Sequence, residues 1–373
     1  MRLGVPKESR RGETRFAMAP EVVKKLARWK LDVIVERGAG ESAGFSDSDF
    51  EAAGAKVGSR EECTSSDIVF QIHPPTRQDI ESFKPSGLLI SHLEPYSADA
   101  VLSLLAAKKV NSVSMEAVPR TSRAQSMDAL SSQANIAGYR AVLEATRHFQ
   151  RFFPLMMTSA GSSRPAKVLV LGVGVAGLQA IATAKRLGAQ VTAYDIRAET
   201  KEQVKSLGAK FLELDIGEEG SGQGGYAREL SEDAQKRQQE AFESAIQAFD
   251  VLITTANIPG RKAPILVTER GARGLRRGSV IVDMAAANGG NCPLSRPDEI
   301  VDVNGVKIVG YTNYPAMVAT DASTFYARNL MNLLELFIEQ KDSGTGLRFD
   351  FEDDIVAASL LVYEGEIRLE AKR

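Results

Sequence analysis

Short aliphatic runs alternate with helical patterns along the whole chain. In the first half, strand-like runs fall at residues 2–6, 32–36, 68–72, 88–90 and 112–116. Between them, helical spacing predicts helices over 20–29 (apolar Val22, Val23 and Leu26), 47–53 and 101–108. A long helical pattern follows at 133–152, then Pro154 and a polar, glycine-containing stretch at 159–165. A second set of strands is expected at 167–171, 190–194, 251–255, 279–283 and 306–310. The last helix, 323–339, carries Leu330, Leu333, Leu334 and Phe337 at helical spacing and reads as a return crossover packing on the first domain. The alternation specifies an α/β protein, and unbroken apolar runs suit mostly parallel strands covered on both faces. The expected architecture is two Rossmann-like doubly wound parallel-sheet domains joined by long crossover helices. The first is discontinuous, residues 1–130 plus 315–373, and the second spans 131–314.

Length and composition narrow the class. A chain of 373 residues suits two domains. Its 43% hydrophobic and 25% charged content is that of a globular protein. A formal net charge of −2 gives no electrostatic reason to expect nucleic acid. The two cysteines, Cys63 and Cys292, lie outside any CxxC pattern, which argues for a reducing compartment and against a structural zinc; no metal site is expected. The first residues show no signal-peptide pattern and no apolar run reaches the roughly 20 residues of a membrane span, so a soluble chain is expected, one still able to dock on a membrane complex.

Residues 172–177, GVGVAG, match G-x-G-x-x-G. With 31 glycines in the chain the spacing alone decides little, but a buried-strand run (Val168 to Leu171) precedes it and an alanine-rich helix follows. In that context Gly172 permits the tight turn, Gly174 admits a diphosphate to the backbone, and Gly177 lets helix and strand touch. The helix start then offers free N–H groups and a positive dipole end. Asp195 ends the next strand, near the roughly 20-residue spacing at which a carboxylate takes the adenosine ribose hydroxyls. It would repel a 2′-phosphate, favouring NAD over NADP, while neighbouring Arg197 offers such a phosphate a partner.

Three further stretches stay open on residues alone. The glycine-rich 217–226 segment reads as a linker or as a lid, with Tyr226 able to cover a nicotinamide. The 120–131 segment supplies Arg120, Arg123, Gln125, Asp128 and Ser131. It is either a polar linker capped by Asp128 or Ser131 or a device that positions a carboxamide and a pyrophosphate. Of the three histidines, His148 reads as a solvated surface residue, and His73 precedes Pro74-Pro75 at a strand end. His92 follows a strand, where α/β proteins bind ligands, and is either functional or a satisfied structural histidine.

The stretches RTSRAQSMDALSSQANIAGYRAV (120–142), LGVGVAGLQAIATAKRLGAQV (171–191), DIRAETKEQVKSLGAKF (195–211), GGYARE (224–229) and GGNCPLS (289–295) resemble the NAD(H)-binding component of proton-translocating NAD(P) transhydrogenases. GVPKESRRGETRFAMAPEVVKKL (4–26) is similar to a broader family shared with alanine dehydrogenase. The last thirty-odd residues carry little of this signal. The resemblance implies a two-domain homodimer that binds NADH and passes hydride directly to NADP⁺ held on a separate component. A membrane component moves the protons, and this chain sits peripherally on the cytoplasmic face of the inner membrane.

The resemblance also implies a site. Arg120, Arg123, Gln125, Asp128 and Ser131 hold the nicotinamide end and the pyrophosphate; Arg120, Gln125, Asp128 and Ser131 position it for transfer. Gln125 is expected nearest the second nucleotide, with Asp128 orienting Arg120. Gly172, Gly174, Val175, Ala176 and Gly177 form the phosphate turn, and Asp195, Ile196 and Arg197 the ribose site. Gly225 and Tyr226 belong to the mobile loop, and Asn257 stands where the family has an aliphatic residue beside the adenine. Alanine dehydrogenase is the competing reading. That family anchors its substrate with a lysine where this chain has His73, a shorter and mostly neutral side chain, while His92 matches its catalytic histidine. A non-catalytic NAD sensor is the third.

Overall fold

The computed structural model describes residues 1–95, 99–197, 199–213, 232–257, 262–342 and 344–368. It comprises two compact units, Met1–Ala134 with Pro315–Arg373, and Asn135–Tyr314. The division falls inside the helix Ala129–His148, a few residues beyond the boundary expected at 130.

The first unit is built on an eight-stranded sheet. Its spatial order is Glu366–Ile367, Leu360–Tyr363, Asn111–Ser114, Leu88–Ser91, Ile68–Phe70, Arg2–Val5, Asp32–Glu36 and Lys56–Gly58. The strands from Asn111–Ser114 to Lys56–Gly58 are parallel, and Leu88–Ser91 is buried throughout, as helices on both faces require. The helix Ala319–Leu334 buries Tyr326, Ala327, Leu330, Leu333 and Leu334 in this unit's main core. It starts and stops earlier than the apolar spacing suggested, and Glu335–Phe337 tightens into a 3₁₀ turn.

The weakly patterned C-terminal residues form the sheet's edge. Leu360–Tyr363 pairs antiparallel with Asn111–Ser114, with an irregular register between Leu360 and Val362. Two short helices, Arg60–Thr64 and Arg77–Ser82, have no apolar stripe to announce them but carry capping boxes: Ser59 with Glu62, and Thr76 with Asp79.

The second unit holds a seven-stranded sheet. Its order is Lys210–Phe211, Gln190–Tyr194, Lys167–Leu171, Val251–Thr254, Val280–Asp283, Val306–Val309 and Ile300–Val303. All pairs are parallel except the last. Alternate residues of Lys167–Leu171 enter different cores: Val168 and Val170 on one face, Leu169 and Leu171 on the other. The order reverses at Lys167–Leu171, whose neighbours lead the chain first one way and then the other. That makes the crevice beyond its carboxyl end the topological switch point, where open α/β sheets take ligands. The polar 159–165 stretch is an antiparallel hairpin, Met156–Thr158 with Gly161–Ser163.

Candidate functional site

In the second unit the glycine turn joins Lys167–Leu171 to the helix Val175–Arg186. Gly172 has φ +97°, a conformation costly for any residue with a Cβ. A Cβ on Gly177 would stand 1.9 Å from the Gly172 carbonyl oxygen, so only glycine lets the helix start touch the strand end. At Gly174 the corresponding position has nothing within 4 Å. Gly174 is the N-cap of the helix, and no cap bond from a side chain is made there among the described residues. These three positions fit a cradle for a diphosphate: two glycines close it and one leaves it open. Gly138 was not foreseen. A Cβ there would lie 2.1 Å from the Ala176 carbonyl oxygen, so its helix is pressed against the turn. The only sequence trace is a small residue inside an otherwise ordinary helix.

Asp195 lies beside this turn. One carboxylate oxygen accepts the Val173 N–H (2.7 Å) and the other the Arg197 N–H (2.9 Å). The Arg197 guanidinium also spans both oxygens, at 3.0 and 2.9 Å. Burial alone would push the Asp195 carboxyl up, but the bonds from Arg197 and Val173 hold it below the usual range, so it is charged at neutral pH. Arg197 therefore spends its charge on Asp195 rather than standing ready for a phosphate. Val175 (41% exposed) and Ile196 (86%) present apolar surface around the turn. Asn257 accepts a hydrogen bond from the Asn288 amide at 2.8 Å. Gly225 and Tyr226 lie outside the described residues.

The 120–131 segment belongs to the first unit. Arg120 and Gln125 are exposed, and their side chains make no hydrogen bond or ion pair among the described residues. Asp128 caps the helix Ala129–His148 by accepting the Ser131 N–H (2.8 Å) and hydroxyl (2.5 Å). Among the described residues no hydrogen bond joins Asp128 to Arg120, and the Asp128 carboxylate faces the cap. Arg123 bonds both oxygens of Asp353 (2.7 and 2.6 Å) and reaches Asp354, tying the loop to the C-terminal segment. That geometry is a fastening, not an open anion site.

Elsewhere in the first unit, polar groups that follow the strand ends are bound to one another. The Arg15 guanidinium donates to Glu13 (2.7 and 2.9 Å) and to Gln133 (2.8 Å), and His73 Nε2 lies 2.6 Å from Glu13. The Glu13 side chain is fully buried. Burial would raise its carboxyl, but Arg15 and His73 hold it far below the usual range. Glu8 accepts the Ile72 and His73 N–H groups, yet burial pushes it up to about 7. His92 lies 3.6 Å from Glu116 and stacks on Tyr326 with ring centroids 5.4 Å apart. Despite its burial, Glu116 is held down at about 2 by His92 and Ser114. His148 is not a solvated surface residue: its side chain is 12% exposed and 3.7 Å from Glu144.

Fold and turn together define a Rossmann-type, dehydrogenase-like protein. The chain belongs to the alanine dehydrogenase/PNT family, whose N-terminal domain matches residues 4–137 and whose C-terminal domain matches residues 141–370. It is 47% identical to an NAD(P) transhydrogenase subunit alpha protein of Rhodospirillum rubrum, covering 98% of this chain and 97% of that protein. The transhydrogenase structure from Sinorhizobium meliloti superposes with a TM-score of 0.89 at 40% identity, over 98% of this chain and 100% of that one. An L-alanine dehydrogenase structure superposes at 0.80 with 26% identity, over 98% and 96%. Among the described residues no helix is long and apolar enough to cross a membrane.

Proposed function

We propose that this chain is the NAD(H)-binding component of a proton-translocating NAD(P) transhydrogenase, acting as a homodimer. A separate component holds NADP(H), and a membrane component, on whose cytoplasmic side this chain docks, moves the protons. Bound NADH supplies the hydride. The chain's part is to bind and orient: Gly172, Gly174, Val175, Ala176 and Gly177 receive the diphosphate. Asp195 takes the ribose hydroxyls once Arg197, half exposed, swings aside; Ile196 and Asn257 flank the adenosine. Arg120, Gln125, Asp128 and Ser131 are assigned to the nicotinamide end. Direct transfer between two nicotinamides needs no proton relay, only reacting carbons brought to roughly 3–3.5 Å.

The closed Glu13–Arg15–His73–Gln133 cluster carries the choice over an amino-acid dehydrogenase. The lysine position of that family is filled by His73, bound to a buried carboxylate, and the neighbouring arginine is committed to Glu13 and Gln133. A substrate carboxylate finds no open cation in that cluster. NADH oxidation assayed with pyruvate plus ammonia, and separately with NADP⁺ on the NADP-binding component, tests the reading. Turnover only in the second assay is expected, turnover with pyruvate overturns it, and NADH binding without turnover in either marks a sensor. Substituting Gln125 should slow single-turnover hydride transfer far more than it weakens NADH binding.

A further inference from the structure

The GGNCPLS stretch has no role in the nucleotide site outlined for the second unit, yet its backbone and side chains are bonded to two other strand ends. Its anchor is Asp283, a fully buried carboxylate at the end of Val280–Asp283. One oxygen accepts the Ala285 N–H (3.0 Å) and the Thr254 hydroxyl (3.2 Å). The other accepts the Cys292 N–H (3.0 Å) and the Ser295 hydroxyl (2.5 Å). A Cβ on Gly290, at φ +77°, would stand 2.8 Å from this second oxygen, so the segment closes on it only through glycine.

The segment so held aims Asn291 at the next strand connection. Its buried side-chain amide donates to the Ala256 and Pro264 carbonyls, both at 2.8 Å, and its own backbone carbonyl accepts the Leu266 and Val267 N–H groups. Ala256 follows Thr255, whose N–H bonds Leu171 and whose hydroxyl donates to the Gly172 carbonyl at 3.0 Å. That last bond crosses the switch-point crevice, from the end of Val251–Thr254 to the glycine turn. Thr255 Oγ1 is also 2.6 Å from where a Cβ on Gly172 would lie.

We propose that Thr255, Asn291 and Asp283 are positioning residues for the dinucleotide: Asp283 fixes the GGNCPLS segment, Asn291 fixes Ala256, and Thr255 sets the carbonyl of Gly172, hence the separation of the two strand ends that embrace the ligand. The inference rests on the nucleotide-binding reading above. Thr255→Val keeps the side chain's shape and removes only its hydroxyl, whereas Thr255→Ser keeps the hydroxyl. NADH titrations of the full chain should show Kd raised about five- to tenfold by Thr255→Val, the loss of one hydrogen bond, and within about twofold of wild type for Thr255→Ser. With the partner component present, the loss should fall on KM for NADH and spare the rate at saturation. Asn291→Ala should raise Kd in the same direction, and combining it with Thr255→Val should give less than the product of the single effects. A Thr255→Val chain that melts earlier yet binds NADH as wild type would overturn the inference, leaving a scaffold role. A wild-type chain that binds no NADH would overturn the nucleotide reading itself.

Discussion

At the strand ends of the second unit, Gly174 faces open space, Val175 and Ile196 are exposed, and among the described residues no side chain caps the helix that begins there. At the strand ends of the first unit, the Glu13 side chain is fully buried against Arg15 and His73, half-buried Glu8 accepts the Ile72 and His73 amides, and His92 lies beside Glu116 and Tyr326. The two units share an architecture and its ligand-prone edge, but they treat that edge differently. A ligand entering the second unit meets open space at the glycine turn and displaces only the half-exposed Arg197 guanidinium from Asp195. One entering the first must break charge-assisted bonds already made in low dielectric, which are costly to leave unpaired. An edge that is geometrically right for binding is thus chemically available where its glycine turn stays open and its ion pairs lie near water.

The comparison breaks most sharply at Gly177. Adding a methyl 1.9 Å from the Gly172 carbonyl forces helix from strand, and Gly177→Ala should cost roughly 3 kcal/mol of second-unit stability along with NADH binding. Gly174→Ala has room for its methyl, so folding should persist while Kd rises about tenfold, because the methyl fills the space left for the diphosphate. Equal melting losses in the two variants would contradict the distinction.

In the first unit, Arg15→Met removes the guanidinium that bonds both oxygens of the buried Glu13 carboxylate, leaving His73 beside it, and should destabilise by about 3 kcal/mol. The chain has a single tryptophan, Trp29, in that unit, so its fluorescence during urea unfolding reports the loss. NADH affinity should stay within about twofold of wild type; a larger change would mean that the closed cluster belongs to the nucleotide site.

A pH test sharpens the same contrast. Burial raises Glu8 from 4.5 to about 7, so its contribution is fully present below pH 4.5 and lost as pH rises through 7. Glu116 has the opposite sign: held at about 2, it contributes above pH 4.5 and loses that as pH falls toward 2. The difference in Trp29-monitored stability between wild type and Glu8→Gln should therefore shift by up to about 3 kcal/mol between pH 4.5 and 8, against the wild type as pH rises. A pH-independent difference would show that burial does not raise the Glu8 carboxyl.

The smallest effect is expected at Arg123. Its pairs with Asp353 and Asp354 are exposed at the arginine, and Arg123→Ala should lower Tm by less than about 2 °C with NADH binding unchanged. A marked rise in Kd would return Arg123 to the nucleotide site.

Much of this contrast is invisible in one dimension. Short-range signals are legible: the aliphatic strands, the glycine turn, Asp195 at its spacing and the Asp128 cap all act within a few residues or along one βαβ unit. The capping boxes at Ser59 and Thr76 are local too, but they are faint beside the stronger apolar periodicity. Long-range pairings leave no such trace. Arg15 with Gln133, Arg123 with Asp353, and Asn291 with Ala256 join residues whose separation carries no pattern.

By itself the sequence determined that this is an α/β chain with a glycine turn and an acid ending the next strand, because periodicity, φ > 0 and steric closeness are local demands on residue type. Only the tertiary structure decided which polar groups remain available. Whether a histidine, an arginine or a carboxylate faces a ligand or another side chain depends on what folding brings within hydrogen-bond distance, and on how much water it removes in doing so.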